Sequence, residues 1–539
     1  MNTYFLILLL SLNIICFSQS KDQQVEKQRK KILVIGQFIV SHPRTWYHIS
    51  KELAKVENYE IYQILPADSS YVLKVKANGV IPILCKNYSQ QYFDEFNEKM
   101  KASTLGDSEI IDYMQYLTRA FYSEKELIQE IKSLKFDLVI CGLFFETQLM
   151  VNTLQIPLYI RIFSGNLDSS MQFMMNQHTT HSSQLHQIRT VIFGMENHTD
   201  LHSFTTNFFT RLRNRLAEHI FCGLGSYLIH QKLYNEIPEH LRQDAMTFRA
   251  PDMILYTGYE GLSQPMALSP NSRIIPPLSK IESDAQMITQ DLQNFIDRFE
   301  KLIFVSFGTA QIPKPEFIRI LSIYMQKQSN YGFIYSATNL KYLEKDILDR
   351  VQNSGNVFVA SWLPQIQILN NPKVKIFFSH GGLNGVIESI EAQKPLIIIP
   401  AISTDQFYSC EYVQAQKLGA CLFKSDEDHL DEQVKYIEEN NGFSDRLKIL
   451  KKMIDKKKQQ GLGLLYWVDY LLEIGTSEFI SAKQYQSFNY LQLYDVDVNI
   501  AIDLILIAMI AIVIAILVKI YRLITCKKGK NESKSTKID

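Results

Sequence analysis

The sequence predicts an α/β protein of two doubly wound domains facing a cleft, followed by one membrane-spanning helix. Three features carry that expectation: a strand–helix–strand opening, a second alternating series beyond a proline-rich stretch, and an apolar run near the C terminus. The 539 residues carry 56 Lys+Arg against 56 Asp+Glu, so no global field is available to hold nucleic acid. With 46% hydrophobic and 21% charged residues the chain is too apolar to be disordered, and it is too long for a single small domain.

The first unit begins with the apolar run Lys31-Ile-Leu-Val-Ile-Gly36, which reads as a strand. From Pro43 to Asn58 the spacing is helical, with Trp46, Ile49, Leu53 and Val56 on one face, and a strand pattern returns at Tyr59 to Leu65. Further buried strands are expected at Phe136 to Ile140 and Leu158 to Phe163. Four prolines between Gln264 and Leu278 mark a linker, taken as residues 264–282. Beyond it the strand patterns are Leu302–Phe307, Tyr331–Ser336, Val357–Ala360, Val374–Ser379 and Pro395–Pro400. The domains are therefore expected at 21–263 and 283–475, with a connecting segment at 476–499.

The two ends indicate the compartment. Residues 4–17 are apolar and are followed by small and polar residues through Ser20, the pattern of a signal peptide over residues 1–20. Ile500 to Val518 is apolar except for Asp503, and at about 1.5 Å per residue it is about 28 Å long, enough to cross a bilayer. The tail at 519–539 carries Lys519, Arg522, Lys527, Lys528, Lys530, Lys534 and Lys537 against Glu532 and Asp539, which places it in the cytoplasm. The expected arrangement is a single-pass type I membrane protein with a lumenal body, resident in the endoplasmic reticulum. Asn87 and Asn197 head sequons that would accept glycans on that side. Cys85, Cys141, Cys222, Cys410 and Cys421 form no CxxC pair and read as small buried hydrophobes.

The densest cluster of polar and glycine residues runs from Trp362-Leu-Pro-Gln365 through the strand ending at His380 to Gly381-Gly382-Leu-Asn384-Gly385-Val-Ile-Glu388 and then Thr404-Asp405-Gln406. His380 falls at a strand's carboxyl end, and Gly381-Gly382 lets backbone N–H groups approach a ligand where a helix starts. Such a terminus favours phosphate. Asn384 and Glu388 are four apart and share a helix face, and Trp362 is suited to stack on a planar base.

This ordered set resembles the signature of the UDP-glycosyltransferase family, which includes the UDP-glucuronosyltransferases. The resemblance extends to Ser306-Phe-Gly-Thr309, the proline-rich linker and both termini. It implies the GT-B architecture of two Rossmann-like domains, no metal or other cofactor, and a UDP-sugar as co-substrate. By the same resemblance Trp362 and Gln365 would hold uracil and Glu388 the ribose. Ser306, Thr309, His380, Gly382 and Asn384 would serve the diphosphate, and Asp405 and Gln406 the transferred sugar. His42, in Ser41-His42-Pro43, matches the catalytic base. At a helix amino terminus its imidazole is held neutral and able to take a proton.

One position departs from the family pattern. Where members place an aspartate that orients the base, Phe136-Asp137-Leu-Val-Ile-Cys-Gly142 ends in glycine. Asp137 begins the strand and so lies at its other end, and Glu146 is the candidate to reach back from the following helix. A carboxylate restored at 142 is expected to assist His42 if it fits. Two readings follow: an inverting transferase moving a hexosyl or hexuronosyl group to a hydroxyl of a small lipophilic acceptor, or a donor-binding pseudoenzyme that partners an active relative. Homo- or hetero-oligomers are compatible with either. Asp426, Asp428, Asp495 and Asp497 read as capping or solvated carboxylates, and His178, His181 and His186 lack the spacing of a zinc site.

Overall fold

The computed structural model describes residues 29–38, 42–102, 107–142, 144–165, 167, 207–217, 220, 225–247, 249–278, 288–308, 313–337, 343–401, 404–481 and 496–535. The expected signal peptide, Asn197, Thr309, Cys222 and the three histidines at 178, 181 and 186 lie outside them.

Buried apolar runs form two wholly parallel sheets. The first takes β1 (Lys30–Ile35), β2 (Tyr59–Pro66), β3 (Ile81–Cys85), β4 (Leu138–Cys141), β5 (Leu158–Phe163), β6 (Met253–Thr257) and β7 (Ser272–Ile275) in the order β3-β2-β1-β4-β5-β6-β7. The second takes β8 (Leu302–Ser306), β9 (Gly332–Ser336), β10 (Val357–Ala360), β11 (Val374–Ser379), β12 (Leu396–Ile398) and β13 (Gly419–Cys421) in the order β10-β9-β8-β11-β12-β13. Each order reverses once, between β1 and β4 and between β8 and β11. At such a reversal the helices leave to opposite faces and open a crevice at the carboxyl ends of the strands.

The alternation of a strand explains the layering of the second sheet. Along β8, Leu302 and Phe304 enter one core and Ile303 and Val305 the other, so helices cover both faces. In the first sheet the His42–Leu53 helix seats Trp46, Ile49 and Leu53 in the core. It ends five residues before the sequence suggested, with Val56 half-buried in the turn that follows.

Four departures from expectation have physical reasons. The proline-rich stretch expected as linker contains β7, whose residues pair with β6, because Ser272–Ile275 lies between the prolines rather than among them. The Leu464–Ile474 helix, expected in the second domain, crosses back: Leu464, Val468 and Leu471 join the core of the first sheet. Asp469 accepts from the Tyr59 hydroxyl at 3.1 Å, and the Arg273 guanidinium lies 4.6 Å over the Trp467 ring. Cys410 and Cys421, expected as separate buried hydrophobes, form a disulfide with Cα atoms 4.9 Å apart, since the Thr404–Ala415 helix packs against β13. Cys85 and Cys141 are free and buried. The apolar C-terminal run is part of a longer helix, Val496–Ser535, whose Asp497–Arg522 stretch is long and apolar enough to cross a membrane.

Tyrosines join the two domains. The Tyr408 hydroxyl accepts from the Gln264 N–H at 3.0 Å, and the Tyr412 hydroxyl lies 3.1 Å from the carbonyls of Gly261 and Ser263. The returning strap is pinned by a buried carboxylate: Asp252 accepts from the Tyr159 N–H at 2.7 Å and from the Ser477 hydroxyl, with Arg249 at 3.6 Å. Asp252→Ala is expected to leave the Tyr159 N–H unpaired and to lower stability by roughly 3 kcal/mol. A urea titration measures that loss, and limited proteolysis should show earlier cleavage at 464–481.

Candidate functional site

The register sets the stage at both reversals. Ile35 pairs with Cys141 and Ser306 with Ser379, so the residues after these strands emerge side by side at the carboxyl edges. Asp137, at the amino edge of β4, accepts from the Lys31 N–H at 2.8 Å and pairs with Lys30. It serves the far end of the strand, as the sequence suggested.

At the second sheet, β11 runs into His380, Gly381 and Gly382, and the Leu383–Glu391 helix begins at once with Gly382 as its N-cap. Gly381 has φ +89, and a Cβ there would stand 2.9 Å from Ile398 Cγ2 and 3.1 Å from the Gln406 carbonyl. Only glycine fits this turn. The imidazole of His380 lies between two glycines. A Cβ on Gly308 would come within 2.7 Å of its Cε1, and one on Gly382 within 2.6 Å of its Nε2. Burial pushes His380 down to about 4, and its Nδ1 has no hydrogen-bond partner. At neutral pH it is an uncharged ring that can donate one N–H beside a helix amino terminus. Ser306, buried, ends the adjacent β8.

The residues expected to hold the nucleoside lie on the same edge. Gln365 donates from Nε2 to Glu388 at 2.5 Å, and Trp362, three residues before Gln365, presents an indole that is 52% exposed. An exposed indole offers a face on which a planar ring can stack. Asn384 is exposed one turn before Glu388. Burial raises the Glu388 carboxyl to about 7, while Gln365 and Arg44 pull it down. Arg44 belongs to the His42–Leu53 helix of the first domain, so the carboxyl edges of the two sheets lie within electrostatic reach of each other. Asp405 is half-buried in the first turn of the Thr404–Ala415 helix. Gln406 is buried, and its Oε1 accepts from the Ala401 N–H at 2.8 Å. That acceptor is already engaged in holding the loop.

At the first sheet, His42 is the first residue of its helix and Pro43 the second. The room beyond Gly142 is filled. A Cβ added there would lie 2.6 Å from Gln37 Nε2 and 3.1 Å from Trp46 Cζ2, so a carboxylate at 142 does not fit as the molecule stands. Glu146 lies in the first turn of the Phe145–Leu154 helix, wholly buried, and burial pushes its carboxyl up to about 8 against the opposing pull of Arg161. It is largely protonated at neutral pH and supplies a hydrogen-bond donor more readily than an orienting anion. Sequence reasoning missed Gln37, Trp46 and Arg44. The available signal was their position: Gln37 follows the strand at the reversal, while Arg44 and Trp46 sit two and four residues after His42 on its helix.

A family model described as UDP-glucoronosyl and UDP-glucosyl transferase matches residues 40–534. The UDP-glycosyltransferase UGT4 of Dactylopius coccus is 30% identical over 36% of this chain and 38% of its own length. UDP-glucuronosyltransferase 3A1 of Xenopus laevis is 22% identical over 76% of this chain and 77% of its own. The chain thus spans well under half the length of the more identical relative. The glycotransferase of kitacinnamycin superposes with a TM-score of 0.55 at 15% identity, covering 83% of this chain and 100% of that one. UDP-glucose: anthocyanidin 3-O-glucosyltransferase in complex with UDP gives 0.53 at 15% identity over 83% and 99%. At such identities these two likenesses establish a shared GT-B fold.

Two outcomes are expected. Gly142→Asp should lower stability by about 1–3 kcal/mol through overpacking, and Gln37→Ala in the same chain should restore most of it, as read by thermal denaturation. Equal loss in both variants would contradict the packing described. Glu146 holds its proton in the folded state up to about pH 8, against an ordinary value of 4.5. Its contribution to stability is therefore full below about pH 4.5 and is lost as the pH rises through about 8. Denaturant midpoints across that window should fall for the parent and flatten for Glu146→Gln.

Proposed function

Because the chain belongs to the UDP-glycosyltransferase family, we propose that it moves a hexosyl or hexuronosyl group from a UDP-sugar to a hydroxyl of a small, largely apolar acceptor, with inversion at the anomeric carbon. The observation that carries this reading is the gathering of Trp362, Gln365, Glu388, His380 and Gly382 at the β8/β11 reversal. Trp362 stacks on the uracil and Gln365 bonds its edge, while Glu388 accepts from the ribose hydroxyls. The N–H groups after Gly382 and the neutral His380 take the diphosphate, with Ser306, Thr309 and Asn384 around it. Asp405 and Gln406 bound the transferred sugar.

In the reaction, His42 accepts the acceptor's hydroxyl proton as the oxygen attacks the anomeric carbon. The bond from that carbon to the β-phosphate oxygen breaks, and UDP leaves with the electron pair. The helix terminus and His380 stabilise the charge that develops on the departing phosphate. No metal enters these steps. The C-terminal helix crosses the membrane once with the lysine-rich tail cytoplasmic, and the body faces the endoplasmic reticulum lumen, where Asn87 is an exposed glycan acceptor. The disulfide Cys410–Cys421 supports an oxidising compartment.

A donor-binding partner without turnover is favoured by one observation, the glycine at 142. Release of UDP from UDP-sugars, measured with and without a panel of phenolic and sterol acceptors, distinguishes the two. The transferase reading expects acceptor-dependent UDP release that His42→Ala abolishes and Glu388→Ala weakens, the latter through a loss of roughly 1–3 kcal/mol in UDP affinity. Undiminished transfer by His42→Ala would remove His42 as the base, and UDP binding with no transfer to any acceptor would favour the partner.

A further inference from the structure

Four side chains at the carboxyl edge of the first sheet each bury a polar atom that has no hydrogen-bond partner: Gln37 Nε2, Trp46 Nε1, the Tyr113 hydroxyl and Glu146 Oε2. None of the four residues is more than 4% exposed. Folded proteins leave few such atoms, and each calls for a reason. Two of them meet directly, and the other two lie within electrostatic reach of each other. Gln37 follows β1 and meets Trp46 against Gly142, which follows β4. Glu146 is four residues beyond Gly142, in the first turn of the Phe145–Leu154 helix, and within electrostatic reach of Tyr113 and Tyr88. The Tyr113 ring lies 6.0 Å from Phe93, which stacks at 5.0 Å on Phe38, the residue next to Gln37. Polar atoms and aromatic rings therefore share one edge, at the β1/β4 reversal, on the side where the His42–Leu53 helix begins.

We propose that Gln37, Trp46, Tyr113 and Glu146 form a polar subsite that selects acceptors carrying a second oxygen function, a hydroxyl or carbonyl, besides the hydroxyl that receives the sugar. The proposal rests on the transferase reading and names the class of acceptor it uses. The Gln37 amide nitrogen and the Trp46 indole only donate, so the ligand must offer lone pairs. Tyr113 and Glu146 can donate or accept, so a hydroxyl satisfies the set as well as a carbonyl does. The rings beside them take the hydrocarbon frame. A site that hydrogen-bonds a substrate oxygen strongly rejects the analogue lacking it, because the buried partners are then left unpaired.

The test uses the full chain in lipid nanodiscs with UDP present, and measures binding of para-hydroxybiphenyl and its para,para′-dihydroxy counterpart. The dihydroxy compound should bind at least about tenfold more tightly. Tyr113→Phe, which removes the hydroxyl and keeps the ring, should erase most of that preference while UDP affinity holds. Glu146→Leu should do the same where it folds. Equal affinity for the two compounds in the parent, or an equal loss for both in Tyr113→Phe, would overturn the subsite. A clear preference that Tyr113→Phe erases, in a protein that transfers no sugar to either compound, would support the subsite while contradicting the transferase reading.

Discussion

The whole arrangement depends on the reversal of strand order in each sheet. A parallel sheet whose order runs outward from β8 to β10 on one side and from β11 to β13 on the other sends its connecting helices to opposite faces. At the second reversal the Leu383–Glu391 helix begins directly after the strand, so its first backbone N–H groups sit at the carboxyl edge of the sheet. The chain places Gly308 and Gly381-Gly382 at that point, and the absence of Cβ atoms lets His380 lie between them. The first sheet repeats the device at β1 and β4 with a different filling, an amide, an indole and a protonated carboxyl. Arg44 within reach of Glu388 shows that the two crevices face each other.

Much of this was legible from residues alone. Runs such as Leu302–Val305 and Ile376–Phe378 are continuously apolar, which marks strands buried on both faces, and the His380-Gly381-Gly382 turn reveals itself by glycine where a helix must start. Other parts were hidden for definite reasons. β3, β6, β7 and β13 are short or interrupted by proline and glycine, so their periodicity is lost among turn residues, and tertiary pairing decides them. The Leu464–Ile474 helix reads as amphipathic wherever it docks, and nothing local to it tells which core it joins. Likewise Cys410 and Cys421 carry no spacing signal, because their pairing comes from the packing of a helix on an edge strand.

The glycine at 142 shows how a sequence comparison and a structure differ in what they report. By resemblance the position lacks a carboxylate. By packing it is where the Gln37 carboxamide and the Trp46 ring meet, and the nearest acid, Glu146, is held uncharged by its burial. The change is therefore one of local chemistry, from an ionised edge to a neutral, hydrogen-bonding one. The second sheet carries a similar balance: Glu388 and His380 are both shifted toward neutrality by burial, so the proposed donor site would rely on directed N–H and carboxyl groups more than on net charge.

The central claim is that the diphosphate binds where β11 turns into its helix, apart from the nucleoside pocket of Trp362, Gln365 and Glu388. Calorimetric titration of Gly382→Ala with UDP and with uridine tests it most directly, because the new Cβ would stand 2.6 Å from His380 Nε2 and disturb the phosphate end alone. The account predicts that UDP affinity falls by roughly tenfold, about 1.4 kcal/mol, while uridine affinity is unchanged. Unaltered UDP binding, or an equal loss for uridine, would contradict it.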